Sequence, residues 1–292
     1  MHLTSMPLPR STRAATPSGH GLPLHDDAPE SLPLSALAGR HVVIEEALDG
    51  AETDLGFDDR GEPLLRSRGQ PLAGGFGERP FIPLKIWAMA HEQRLIERLG
   101  DRLELHGRWA YAARRVWYDQ LPHYFIETDL LDRASGRCLS TPRRQALLAG
   151  SPVLSAPVLY AGPMPTHPQW LDVLLARSLA RSAHWRAAFE ATALREALPM
   201  SSWPTRAGGT PPVTLVVKVE EGDHVLARFR LTRADHERPL PLPALLPNAL
   251  ARGADLFAPQ PTVTWRDLGL RTVRSLGALR ALSVDAMEQR CA

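Results

Sequence analysis

Two hairpin signals far apart in the chain limit what it can fold into. Residues 53–66 read as two strands turning at Asp58-Asp59-Arg60-Gly61, and residues 213–232 as two strands turning at Glu221-Gly222-Asp223. Strand signals also fall on His41–Ala47, a buried apolar run, on Leu103–Trp109 and on residues 124–131. Helical spacing interrupts them. Leu84, Trp87, Ala88, His91, Leu95 and Leu99 share one face over residues 83–99, and Gly100 stops the pattern. Residues 170–194 predict two short helices rich in Leu, Ala and Arg. Hairpins separated by helices predict an α+β fold with antiparallel sheets. No internal repeat is visible.

The rest of the chain divides around that body. Residues 1–38 are rich in Pro, Ser, His and Gly and lack sustained periodicity, which predicts a flexible leader that buries too little to offset its ordering entropy. Residues 39–235 form the expected domain. Residues 236–292 begin Pro-rich and end in a weakly amphipathic stretch, 268–287, expected to be a helical tail.

Charge limits the partners. With 34 Lys+Arg against 32 Asp+Glu the net charge is +2, so nucleic-acid contact has to come from local patches. Lys85 and Lys218 are the only lysines. Cys138 and Cys291, the only cysteines, are far apart, which argues against a disulfide scaffold or a cysteine zinc site and for a reducing, cytoplasmic location. No apolar run reaches the ~18 residues of a spanning helix, and no signal-peptide core is present. Phosphate-loop, nucleophile-elbow, H-E-x-x-H and paired C-x-x-C motifs are all missing.

The segment Ile44-Glu45-Glu46-Ala47-Leu48-Asp49-Gly50 resembles the K-x-D-G motif of covalent nucleotidyltransferases, with alanine at the lysine position. Further stretches follow in the same order. Residues 64–69 (LLRSRG) resemble motif Ia, Leu105-His106-Gly107-Arg108-Trp109 motif III, and Tyr124-Phe125-Ile126-Glu127-Thr128-Asp129 motif IIIa. Leu215-Val216-Val217-Lys218 resembles motif IV, and Arg228-Phe229-Arg230-Leu231-Thr232-Arg233 motif V. The chain thus resembles the RNA ligase family from about His41 to Phe257. That resemblance implies an ATP-grasp-like core of two sheets flanking a cleft, with ATP and Mg²⁺ as cofactors and RNA as partner.

The departures lie on the groups that do the family's chemistry. Ala47 stands for the nucleophilic lysine, Arg108 for the motif III glutamate, Val213-Thr214 for the motif IV Glu-Gly pair, Thr128 for the motif IIIa aromatic and Arg230 for the motif V lysine. Covalent catalysis needs a nucleophile, and alanine has none. By resemblance, Glu46, Asp49, Gly50, Lys218 and Arg230 fall at nucleotide-binding positions, and Arg68, Arg228 and Arg233 at RNA-binding positions. A guanidinium suits bidentate phosphate recognition; the bland reading of Arg68 is a solvated turn residue. Asp129 would ligate metal or pair with arginines, as would Glu127. Asp49 would cap a turn or bind metal. Lys85 reads as solvated or phosphate-facing. His106 and His123 read as core-edge histidines, and Trp109, Trp117, Tyr118 and Tyr124 as packing residues or base-stacking platforms. Arg228 and Arg230 share a strand face; whether Lys218, Val216 and Thr214 meet that face depends on register, which sequence leaves open.

Three functions fit. One is a degenerate ligase that binds RNA ends or nucleotide without self-adenylylation, beside an active partner protein. Another is an active ATP-dependent RNA ligase joining 3′-hydroxyl and 5′-phosphate ends. The third is a structural or interaction protein on a ligase scaffold.

Overall fold

The computed structural model describes residues 2–9, 31–165, 167–175, 178–198, 214–232 and 246–291. The strands are β1 (His2–Met6), β2 (Ser31–Leu32), β3 (His41–Ala47), β4 (Ala51–Phe57), β5 (Pro63–Ser67), β6 (Gln70–Pro71), β7 (Leu103–Trp109), β8 (Phe125–Asp132), β9 (Arg137–Cys138), β10 (Leu154–Ser155), β11 (Val158–Pro163), β12 (Thr214–Glu221) and β13 (His224–Thr232). The helices are α1 (Ile82–Ala90), α2 (Glu92–Leu99), α3 (Thr141–Leu148), α4 (Pro168–Asp172), α5 (Trp185–Arg195) and α6 (Leu276–Cys291). The first sheet runs β11-β3-β12-β13-β1-β2, and the second β10-β8-β7-β4-β5-β6, with β9 also on β8. Every strand pairing is antiparallel except the short one between β10 and β8. This is the α+β architecture the hairpins predict.

Each sheet buries one face under helices. On the first, Val42, Ile44, Leu215, Val217, Phe229 and Leu231 pack with Leu171 of α4 and Leu279 of α6. On the second, Leu55, Phe57, Leu105, Trp109, Phe125 and Leu130 pack with Leu84 and Trp87 of α1, Leu95 and Leu99 of α2 and Leu148 of α3. Each large apolar side chain removed from water contributes about 1.5–3 kcal/mol. Strand side chains alternate, so covering one face of each sheet leaves the other faces turned toward each other. Glu45, Lys218, Glu127 and Asp129 are buried there.

Three expectations need correction. First, both ends of the supposed leader are ordered. β1 pairs with β13 and β2, and Leu3 is buried in the first core together with Leu34 and Leu37 of a 3₁₀ turn, Leu34–Leu37. The cause is non-local: β13 would otherwise present an open edge, and five residues suffice to pair it. Residues 10–30 lie outside the described part. Second, the helix expected over 83–99 is two, α1 and α2, broken at His91 with φ −113° and ψ 9°. The His91 ring hydrogen-bonds the Leu256 carbonyl at 3.1 Å, so a distant segment holds the break. Third, the described C-terminal residues belong to the body. Asn248 accepts from the Tyr118 amide and donates to the Ala110 carbonyl, Trp265 is buried with its indole N–H on the Ser155 carbonyl, and the last helix starts at Leu276 rather than 268. Among the described residues no helix is long and apolar enough to cross a membrane.

His123 shows how tightly the second core is closed. Its ring sits 5.4 Å from that of Trp87, and its Nδ1 accepts the Phe125 amide at 3.0 Å. Burial pushes its pKa down to about 4. A group with a depressed folded pKa binds its proton more readily when unfolded. Its stabilising contribution is therefore complete above about pH 6.5 and lost as pH falls toward 4. His123→Gln should flatten the acid limb of the stability curve in that window by about 3 kcal/mol, measured by urea unfolding at stepped pH.

Candidate functional site

β3 leads into the turn that carries Ala47, Asp49 and Gly50. Ala47 ends the strand half-buried, directly opposite Thr214 of β12; Val213 lies outside the described residues. Gly50 is required by close approach, since a Cβ there would sit 2.9 Å from the Trp109 carbonyl oxygen. Asp49 is a cross-chain cap. Its Oδ2 accepts from the amides of Arg115 and Val116 at 2.7 and 3.1 Å, while its own amide donates to the Tyr118 hydroxyl at 2.7 Å. Glu46 turns to the other face of β3 and accepts from the Leu179 amide at 3.1 Å. Burial raises its pKa, against the pull of Ser178, Leu179 and Arg181. Both carboxylates are thus occupied by this chain.

The register left open by the sequence is resolved. Lys218 stands opposite Arg228 and Val216 opposite Arg230, while Glu45 of β3 stands opposite Val216. Directly opposed residues share a face. Lys218, Arg228, Arg230 and Glu45 therefore share the inner face of the first sheet.

Six charged groups meet between the sheets. Arg144 of α3 is fully buried and bonds Glu45 of the first sheet and, at 2.5 Å, Glu127 of the second. Lys218 lies 3.0 Å from Glu45 and 3.2 Å from Asp129 and donates to the Thr128 carbonyl. Arg228 pairs with Asp129 and donates to the Pro7 carbonyl at 2.5 Å. Three carboxylates face three cations, so the cluster is neutral. Burial pushes the Asp129 carboxyl upward, but Lys218, Arg228 and Arg144 outweigh it and hold it below the usual range. Burial likewise opposes the charge on Arg144, yet Glu127 and Glu45 keep it firmly protonated. Glu127 and Asp129 each pair with an arginine, Arg144 and Arg228. A phosphate oxygen reaching Lys218 has to displace Glu45 or Asp129.

The other sequence candidates scatter. Arg108 on β7 pairs with Glu52 on β4 at 3.0 Å, so the reversed charge is answered across the strand. Arg68 is exposed at the β5–β6 turn with φ +50°, its amide on the Glu52 carbonyl at 3.3 Å. Arg230 is exposed on β13. Arg233 lies outside the described residues. Lys85 bonds Glu78 at 2.5 Å on a helix packed against the outer face of the second sheet. Trp109, Trp117 and Tyr118 are buried in packing.

Sequence reasoning missed Arg144 and Glu45. A signal for Arg144 did exist. Arg143 and Arg144 lie near the start of α3, where the helix dipole disfavours cations. A distant acid compensates that end, because Glu220 accepts the Thr141 amide at 2.9 Å and its hydroxyl at 2.6 Å.

A model of the RNA ligase family matches residues 40–197, more than half of the chain. Two solved structures titled archaeal ATP-dependent RNA ligase, forms 2 and 1, are 18% and 17% identical over 68% and 72% of this chain, each with a TM-score of 0.39. The chain spans 44% and 50% of the lengths of those two. No curated protein matches.

Removing one member of a buried ionic cluster leaves its partners uncompensated. Asp129→Asn should therefore cost about 3–5 kcal/mol in denaturant unfolding at neutral pH.

Proposed function

The chain belongs to the RNA ligase family, and from that membership we propose that it is a degenerate ligase, one that binds RNA ends without charging itself with AMP. The observation that carries this reading is Ala47 at the nucleophile position, with no lysine to replace it. Lys218 stands opposite Val43, four residues along β3 from Ala47. At ~3.3 Å per residue that is about 13 Å, and the amine is held between Glu45 and Asp129. Lys85 lies beyond the second sheet.

The nucleotide and metal of the family do not fit the remaining residues. Arg108 stands where a carboxylate is needed, and Glu45, Glu127 and Asp129 are engaged by cations. A hard cation such as Mg²⁺ needs oxygen ligands that are open to it. What this chain retains for RNA is the exposed basic edge, Arg68 on one sheet and Arg230 on the other. Location in a cytoplasm, inferred from the two distant cysteines, accords with this role.

Incubation with α-labelled ATP and Mg²⁺ or Mn²⁺ should leave no labelled band on a denaturing gel; a band mapped to Lys85 or Lys218 would overturn the reading. Ala47→Lys alone should restore less than a hundredth of the ligation of a bacterial family enzyme, since catalytic groups acting as a unit are not additive.

Binding of short 5′-phosphorylated RNA should weaken with salt by about one log unit per neutralised phosphate for each log unit of salt. Arg68→Glu with Arg230→Glu should remove most of it. Equal weak binding by both proteins would instead favour a scaffold without RNA.

A further inference from the structure

The inner face of the second sheet carries a side-chain group that the ionic cluster does not use. Asp54 of β4 stands directly opposite His106 of β7, and Glu104 lies two residues before His106 on the same face. The His106 Nδ1 is 2.6 Å from Asp54 Oδ1, and its Nε2 is 3.5 Å from Glu104 Oε1. One donor atom from each of the three lies within 4.8 Å of the others.

Two of these atoms are unusual. Glu104 is 1% exposed, yet its Oε1 makes no hydrogen bond, and neither does the buried Nε2 of His106 that faces it. The other carboxylate oxygen, Oε2, is fixed by the Arg133 Nε at 2.8 Å, so Oε1 is aimed rather than free to turn. A buried polar atom left without a hydrogen bond forfeits the solvation it had in water. Something between Oε1 and Nε2 would satisfy both.

We propose that Glu104, His106 and Asp54 form a site for a single borderline divalent cation of the Zn²⁺ class. In a tetrahedral site with bonds of about 2.0–2.1 Å, two ligand atoms lie roughly 3.3–3.4 Å apart. The observed 3.5 Å between Oε1 and Nε2 needs almost no rearrangement. The cation takes Glu104 Oε1 and His106 Nε2. Asp54 accepts the Nδ1–H of His106, which fixes the tautomer and the ring, the arrangement metal-bound histidines ordinarily use. An imidazole nitrogen beside a carboxylate selects Zn²⁺ over Mg²⁺ and Ca²⁺, which prefer oxygen throughout. Asp54 and His106 are 17% and 12% exposed, so the ion enters over them from the space between the sheets and keeps its remaining positions for water or an anionic oxygen. Arg66 Nη1, 4.0 Å from Glu104 Oε1, and Arg133 both repel the ion and weaken the site. This site does not rest on the RNA-end reading.

The test is calorimetric titration of the full chain, stripped with chelator, with Zn²⁺ alone and with Mg²⁺ alone. One equivalent of Zn²⁺ should bind and millimolar Mg²⁺ should not compete. His106→Gln should weaken Zn²⁺ at least 100-fold, and Asp54→Asn 10–100-fold, the range for a supporting partner. Arg66→Gln should tighten it several-fold, a gain that misfolding cannot mimic. No Zn²⁺ binding by the wild-type chain, or binding unchanged in His106→Gln, would overturn the proposal and leave a proton shared between His106 and its two carboxylates. Loss of RNA binding in the earlier test would leave this result untouched.

Discussion

Arg144 is the side chain on which the arrangement between the sheets depends. Its guanidinium bridges Glu45 on the first sheet and Glu127 on the second, with no exposure to solvent. An arginine in that position cannot shed its proton, so both carboxylates must stay in place. The sheets are therefore joined on their inner faces by ions, while each packs its outer face under its own helices. The two bonds act differently. Apolar burial stabilises without fixing direction. The ionic cluster contributes little net stability, because desolvation offsets most of the attraction. It does punish any shift of one sheet past the other, since a shift would strand a buried charge.

That constraint changes the meaning of the surviving basic residues. Lys218 and Arg228 sit on the strands and faces where phosphate-binding cations would be useful, but each is neutralised internally. The N-terminal strand adds to this. β1 pairs with β13, and the Pro7 carbonyl just beyond it accepts from Arg228. Leu8 packs beside Leu131, Cys138 and Val225 at the same end. One end of the cleft is thus filled with carboxylates, a lysine and the chain's own N-terminal segment. The alanine at position 47 and the filling of the cationic end are two separate features of this chain.

Legibility in the sequence follows the range of the interactions. β3, β4, β5, β12 and β13 were readable because turns and alternation are local. The shared face of Arg228 and Arg230 was readable for the same reason. Whether Lys218 joined them was not, since register depends on how β12 docks on β3 and β13. β1 failed as a prediction because its partner lies more than 220 residues away and its burial rests on one residue, Leu3. The break at His91 depends on Leu256 in the same way. Arg144 looked like surface arginine in an arginine-rich chain; only the convergence of β3, β8 and α3 makes it central. Asp54 and Glu104 escaped notice, and His106 read only as a core-edge histidine, because two strands had to be paired before the three became neighbours.

The charge pattern of β7 and its neighbours completes the contrast. On the first sheet, Lys218 and Arg228 are answered by Asp129 of the second sheet, and Lys218 also by Glu45 of its own. On the second, cations are answered within the sheet, Arg108 by Glu52 and Arg133 by Glu104. The acids of the second sheet are the exception, since Glu127 is answered by Arg144 of α3 and Asp129 by Lys218 and Arg228 of the first sheet. Ions join the two sheets at the end where Arg144, Lys218 and Arg228 lie. At the opposite end lie Ala47, the exposed Arg68 and the Arg108–Glu52 pair, which closes within the second sheet. The two ends thus differ in kind: ions tie one sheet to the other where Arg144, Lys218 and Arg228 meet, whereas the Arg108–Glu52 pair stays within the second sheet.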